Sequence, residues 1–218
     1  MSRLPLFAAS AVLLHTFVWI SPARSFDTPQ GQALTERPQP GQSAATYQPM
    51  TAEERWNYYL RKNFASPGAF FRTAWPAAIH HRNDDPAEWG QGMEGYGKRL
   101  ASQFAWQTVD GSLEHGTAAL MGTDPRYHRC QCDGFLPRFG YAVASSFVTR
   151  TSSGGWTANV PNFVGAYGGS MIAMTWYPDR YGWKDGVREG THQVLIGGSI
   201  NVFREFWPEI KKVMPFVK

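Results

Sequence analysis

The sequence predicts an all-α fold, a glycine-notched and tightly packed bundle of five or six helices. Three observations carry that prediction. Thr51-Ala52-Glu53-Glu54 and Asp85-Pro86-Ala87-Glu88 both match the capping pattern that opens a helix, the second with proline where no amide donor is needed. Within residues 85–122 the large apolar side chains Trp89, Met93, Tyr96, Leu100 and Phe104 recur at spacings of three and four. Small residues also repeat every four positions, at Gly97, Ala101, Ala105 and again at Gly165, Gly169, Ala173. Such edges let helix backbones approach closely. The competing architecture is an outer-membrane β-barrel, which would read 139–148 and 167–176 as strands. The chain lacks the repeated strand–turn rhythm that a barrel needs.

Taken in order, residues 1–25 read as a secretory signal. Arg3 precedes a largely apolar run, and Ala23-Arg24-Ser25 places small residues where a signal peptidase cuts. Residues 26–50 are rich in Pro, Gln, Gly and Thr without period, which predicts a disordered leader. A single helical domain is expected over 51–218. Its first helix runs from the Thr51 cap to about Asn63, with Trp56, Tyr59 and Leu60 on one face. Ser66-Pro67-Gly68 breaks the chain, and a second helix over 69–80 is kinked or split at Pro76. The long helix 85–122 follows, with Gly122 as its left-handed end and a bend expected around Asp110-Gly111. If the glycine-rich stretch 90–97 is irregular instead, that helix starts near Lys98.

After a polar loop at 124–132, Pro137 opens a helix over 138–150, with Phe139, Ala142, Val143 and Phe147 expected inward. A Ser/Gly/Thr connection spans 151–159. A helix from Pro161 to Tyr177 stops at Pro178, a charged turn covers 179–189, and Thr191 caps a last helix to about Trp207. The Gly97–Ala101–Ala105 edge is expected to meet the Gly165–Gly169–Ala173 edge.

Composition narrows the function classes. The formal charge is only +4, Arg3 and Arg24 of the signal account for part of it, and the remaining cations form no stripe, so no nucleic-acid partner is expected. Only 17% of residues are charged, against 14 Phe, 9 Trp and 9 Tyr. That points to an aromatic core or to a surface in contact with lipid. The string Gly90-Gln91-Gly92-Met93-Glu94-Gly95 matches a dinucleotide fingerprint, but no buried strand precedes it, so no cofactor is expected. His128, Cys130 and Cys132 could ligate a metal, with His80 or His81 as further ligand. The alternative is a disulfide between Cys130 and Cys132, as an oxidising compartment favours. Asp110 and Glu114 lie four residues apart, where the apolar phase of the long helix slips. With His80 they are the candidates for acid–base chemistry. Trp156, Trp176, Tyr177, Tyr181 and Trp183 fall near helix ends, where aromatics can sit at a lipid interface.

The expectation is an exported envelope protein, periplasmic or outer-membrane associated, with a structural or membrane-associated, non-enzymatic role. Its expected partners are a membrane surface, an envelope protein, or a second copy met through the small-residue faces. The alternative is a small envelope enzyme or metal-binding protein using the His/Asp/Glu cluster and the Cys130–Cys132 loop.

Overall fold

The computed structural model describes residues 47–213. The signal segment, most of the leader and Lys218 lie outside them. Helix α1 (Ala52–Asn63) opens on the full capping box: the Thr51 hydroxyl accepts from the Glu54 amide and the Glu54 carboxylate accepts from the Thr51 amide. Helix α2 (Pro67–Arg82) is capped by Ser66, whose hydroxyl accepts from the Ala69 amide. It runs through Pro76 without splitting. A 3₁₀ turn (Ala87–Trp89) leads to the long helix α3 (Gly92–Leu120). Helix α4 (Phe135–Ala144) is followed by a small antiparallel hairpin of β1 (Val148–Arg150) and β2 (Trp156–Ala158), in which Thr149 pairs with Thr157. Helix α5 (Val160–Phe163) passes through a π-helical turn (Val164–Gly168) into α6 (Gly169–Ala173). Helix α7 (Trp183–Val213) closes the chain. The fold is an all-α bundle, and among the described residues there is no closed barrel.

Several boundaries differ from the sequence reading. The long helix starts at Gly92, because Gly90 and Gly92 both take positive φ (71° and 76°) and end the preceding turn. Asp85 and Pro86 lie in the loop before the 3₁₀ turn and cap no α-helix. Gly122 does provide the left-handed exit, at φ 60°. Residues 148–158 are a hairpin, not the end of a helix and a plain connection. The stretch read as a charged turn is helical from Trp183, and Pro208 lies inside α7. The end of the leader is pinned: the Tyr47 hydroxyl donates to Asp124, and the Gln48 carbonyl accepts from Arg126.

The interior is the largest departure. The buried apolar residues are Ala69, Ala77, Ala118, Ala142, Ala166, Ala173 and Val194. Around them are buried polar groups, among them Asn63, Arg99, Gln103, Gln107, Asp124 and Glu205. The large apolar side chains look outward instead. Met93 is 84% exposed and Phe104 50%, and Phe139, Val143 and Phe147, expected inward, are exposed as well. Helix α3 keeps an inward stripe at Gly95, Arg99, Gln103, Gln107 and Gly111, a strict four-residue repeat of small and polar residues. Periodicity locates the helix faces, but of the four α4-region residues expected inward only Ala142 is buried.

Close backbone approach explains the glycines. A Cβ on Gly165 would lie 2.9 Å from the Glu114 Cβ, and one on Gly169 would lie 2.9 Å from the Asp110 Cα. The Gly165–Gly169 edge therefore packs on the Asp110–Glu114 turn of α3, not on Gly97–Ala101–Ala105. Gly97 and Ala101 face outward, and a Cβ on Gly97 would meet nothing within 4 Å. The other side of the same rod receives α7, where Cβ atoms on Gly186 and Gly190 would sit 3.1 Å from the Met171 Cα and 3.0 Å from the Tyr167 Cα.

Candidate functional site

Three buried ionic groups act as loop anchors. Arg99 of α3 is 1% exposed. Its guanidinium donates to the carbonyls of Asp85 (3.0 Å), Gly90 (2.6 Å) and Pro86 (2.6 Å), and so holds the loop between α2 and α3. Asp124 accepts from Arg126, Tyr47 and His128. Burial alone would raise its pKa, but the His128 and Arg126 hydrogen bonds win and hold the carboxyl well below the usual carboxylate range. Glu205, fully buried on α7, accepts from the Tyr127 hydroxyl (2.8 Å), the Cys130 amide (3.0 Å) and Arg138 Nε (2.9 Å). Here too burial pushes upward, and the Arg138 and Tyr127 hydrogen bonds bring the pKa below its ordinary value. Buried charges so fully bonded are stable and chemically quiet.

The Asp110–Glu114 turn differs. Both carboxylates line a cavity of about 510 Å³, together with Lys62, Arg72, Gln107 and Trp106. Lys62 Nζ donates to both Glu114 oxygens, at 2.9 and 2.7 Å. Burial raises the Glu114 pKa, but the Lys62 ammonium outweighs it and leaves the group lowered. Asp110 accepts no side-chain hydrogen bond among the described residues. Burial, and next the Glu114 charge, push its carboxyl up to about 6, against the weaker pull of Lys62 and Arg72. His115, next to Glu114, is pushed down to about 4, first by burial and then by Lys62. The walls are held by crossed amides: Gln107 Nε2 donates to the Asn63 carbonyl (2.7 Å), and the Thr73 hydroxyl donates to Gln107 Oε1 (3.1 Å). The π-helical turn lies against this site, and such turns recur at functional positions.

The structure brings Asp110 and Glu114 together but not with His80. His80 Nδ1 lies 3.5 Å from Asp85, in the loop that Arg99 holds, and His80 is not among the cavity-lining residues. Cys130 and Cys132 are joined in a disulfide, so neither offers a thiolate, and His128 faces Asp124. Among the described residues no three His, Cys, Asp or Glu side chains converge as metal ligands. Arg99, Asp124 and Glu205 went unnoticed in the sequence. The available signal was charge set between aromatic residues, as at Glu205 in Phe203-Arg204-Glu205-Phe206-Trp207.

No protein-family model, curated protein or solved structure matches this chain.

Proposed function

We propose that this chain is an exported cell-envelope protein whose helical domain rests with its apolar exterior in one leaflet of a membrane, in a structural, non-enzymatic role. One observation carries the reading: the partition of side chains is inverted. Outside lie Trp56, Leu60, Phe64, Phe70, Phe71, Trp75 and Ile79 of the α1–α2 region, and Phe135, Leu136, Phe139 and Phe203 of α4 and α7, while the interior is alanine, glycine and polar groups. Single exposed apolar residues are ordinary, but extended apolar exposure over a polar interior marks contact with lipid or protein. The apolar residues are spread over α1, α2, α4 and α7, which favours lipid over a single protein partner. No helix among the described residues is long and apolar enough to cross a membrane. Helices α1, α2 and α4 carry large apolar residues on their exposed sides, as interfacial rather than spanning segments do.

The test is flotation of the full chain with phosphatidylcholine vesicles, followed by washes with high salt and with alkaline carbonate. Retention through both washes is expected. Release into the soluble fraction by high salt overturns the reading.

A second reading, a small envelope enzyme using Asp110 as acid or base, is favoured by the unbonded, raised Asp110 carboxyl in an accessible cavity.

A further inference from the structure

The cavity that holds Asp110 contains more hydrogen-bond donors than the protein uses. Among the described residues Trp106 Nε1 and Arg150 Nε are buried without a partner, and both are obligate donors. The Ser146 hydroxyl, on a residue only 3% exposed, is buried and unpartnered on the same lining. Buried polar groups are rarely left unbonded, but these three atoms have almost no accessible surface, so they form a polar shell behind the lining and are not themselves contacts for an occupant.

Lys62 is taken by Glu114 and Arg126 by Asp124. The other cations on the lining, Arg72, Arg150 and Arg204, make no ion pair among the described residues. The Arg72 guanidinium has one long contact, 3.5 Å to Asn63 Oδ1, and that of Arg150 lies over the Trp156 ring at 4.7 Å. Guanidinium groups match the oxygen geometry of phosphate.

The mouth indicates where the occupant comes from. Phe71 and Trp75 line the cavity, yet each is 65% exposed on the apolar face of α2. The cavity therefore opens onto the surface assigned above to lipid. Its volume of about 510 Å³ suits a headgroup with part of a chain.

The geometry points to a binding site for the phosphate-bearing headgroup of an anionic amphiphile, entering past Phe71 and Trp75, with its oxyanion held by the unpaired guanidinium groups of Arg72 and Arg150. The lipid source rests on the membrane reading; the oxyanion chemistry does not.

Calorimetric titration of the full chain in neutral maltoside micelles tests it, with hexyl phosphate, inorganic phosphate and hexanol as probes. Hexyl phosphate is expected to bind one to one, inorganic phosphate more weakly, and hexanol not at all. Arg72→Gln and Arg150→Gln should each weaken hexyl phosphate by about tenfold or more, the worth of a charged hydrogen bond, and Arg72→Lys should restore part of the loss. Equal binding of hexanol, or unchanged affinity in both glutamine variants, overturns the oxyanion site. Inorganic phosphate binding as tightly as hexyl phosphate overturns the lipid source. If the variants fail to fold, comparison of the three probes on the parent chain still decides. Flotation of Arg72→Gln on phosphatidylcholine vesicles should match the parent, which separates failure of this site from failure of the membrane reading.

Discussion

Glu205 and Asp110 are both acidic residues withdrawn from water on long helices, and they have opposite surroundings. Glu205 accepts from three donors on Tyr127, Cys130 and Arg138, and its pKa falls. Asp110 has two glycines pressed on its backbone and, among the described residues, no side-chain donor at its carboxyl, and its pKa rises to about 6. The difference teaches that burial alone does not determine what a carboxylate does. The donors around it decide whether it fastens a loop or stays available to a ligand.

The sharpest way to break this comparison is Glu205→Ala. It strands the Tyr127 hydroxyl and the Cys130 amide and leaves Arg138 with Glu209 as its only carboxylate among the described residues, and loss of one partner from a buried ion pair costs about 3–5 kcal/mol. Urea unfolding should show that loss, and a change below 1 kcal/mol would mean that Glu205 is no anchor.

Asp110→Asn should act in the other direction. A carboxyl raised from 3.8 to about 6 contributes stability that is present below about 3.8 and lost as pH rises through 6. The variant should therefore match the parent near pH 3.5 and exceed it at pH 7, by up to about 3 kcal/mol at 1.36 kcal/mol per pKa unit. His115 runs oppositely: lowered from 6.5 to about 4, it contributes stability present above 6.5 and lost as pH falls through 4. The two nearly cancel in the parent between pH 4 and 6, so removing Asp110 should unmask a rise of stability with pH. A flat pH series for Asp110→Asn would refute this assignment.

Smaller effects sharpen the picture further. Gly169→Ala puts a methyl 2.9 Å from the Asp110 Cα, where backbone must move; overpacking of this kind costs about 1–3 kcal/mol. Phe70→Ser, at a 68% exposed position, should change unfolding by less than about 0.5 kcal/mol. The same variant should lower vesicle retention, and unaltered retention in a multiple variant with Phe71→Ser and Trp75→Ser would count against lipid contact at α2.

Local signals in the sequence were legible where they were local in origin. The Thr51–Glu54 box, the Gly122 exit and the four-residue spacing of Asp110 and Glu114 all rest on neighbours within one or two turns. The candidate pair was found because its polarity interrupts an apolar rhythm. Orientation was not legible. Trp89, Met93 and Phe104 define a face, but the side that meets the core depends on what the other helices present, and here they present glycine, alanine and amides. The partner of the Gly165–Gly169 edge was missed for the same reason. Two similar small-residue edges look interchangeable in a sequence, and only the bundle geometry tells that Asp110 rather than Gly97 is opposite. His80 was grouped with Asp110 by chemistry alone, although Arg99 commits its neighbourhood to a separate loop.

The π-helical turn also takes up one residue more than an α turn. Gly165 lies within it and Gly169 just beyond it, and both reach the same turn of α3. Deleting one residue, Val164 for instance, would let the rod from Val160 to Ala173 continue as an unbroken α-helix. The extra residue is accommodated over nearly the same rotation, so the helix beyond the deletion would keep its orientation to within roughly 10–20°. The rod would keep its helical content and Gly169, Ser170 and Ala173 would still face α3, while Gly165 within the turn would be displaced from it.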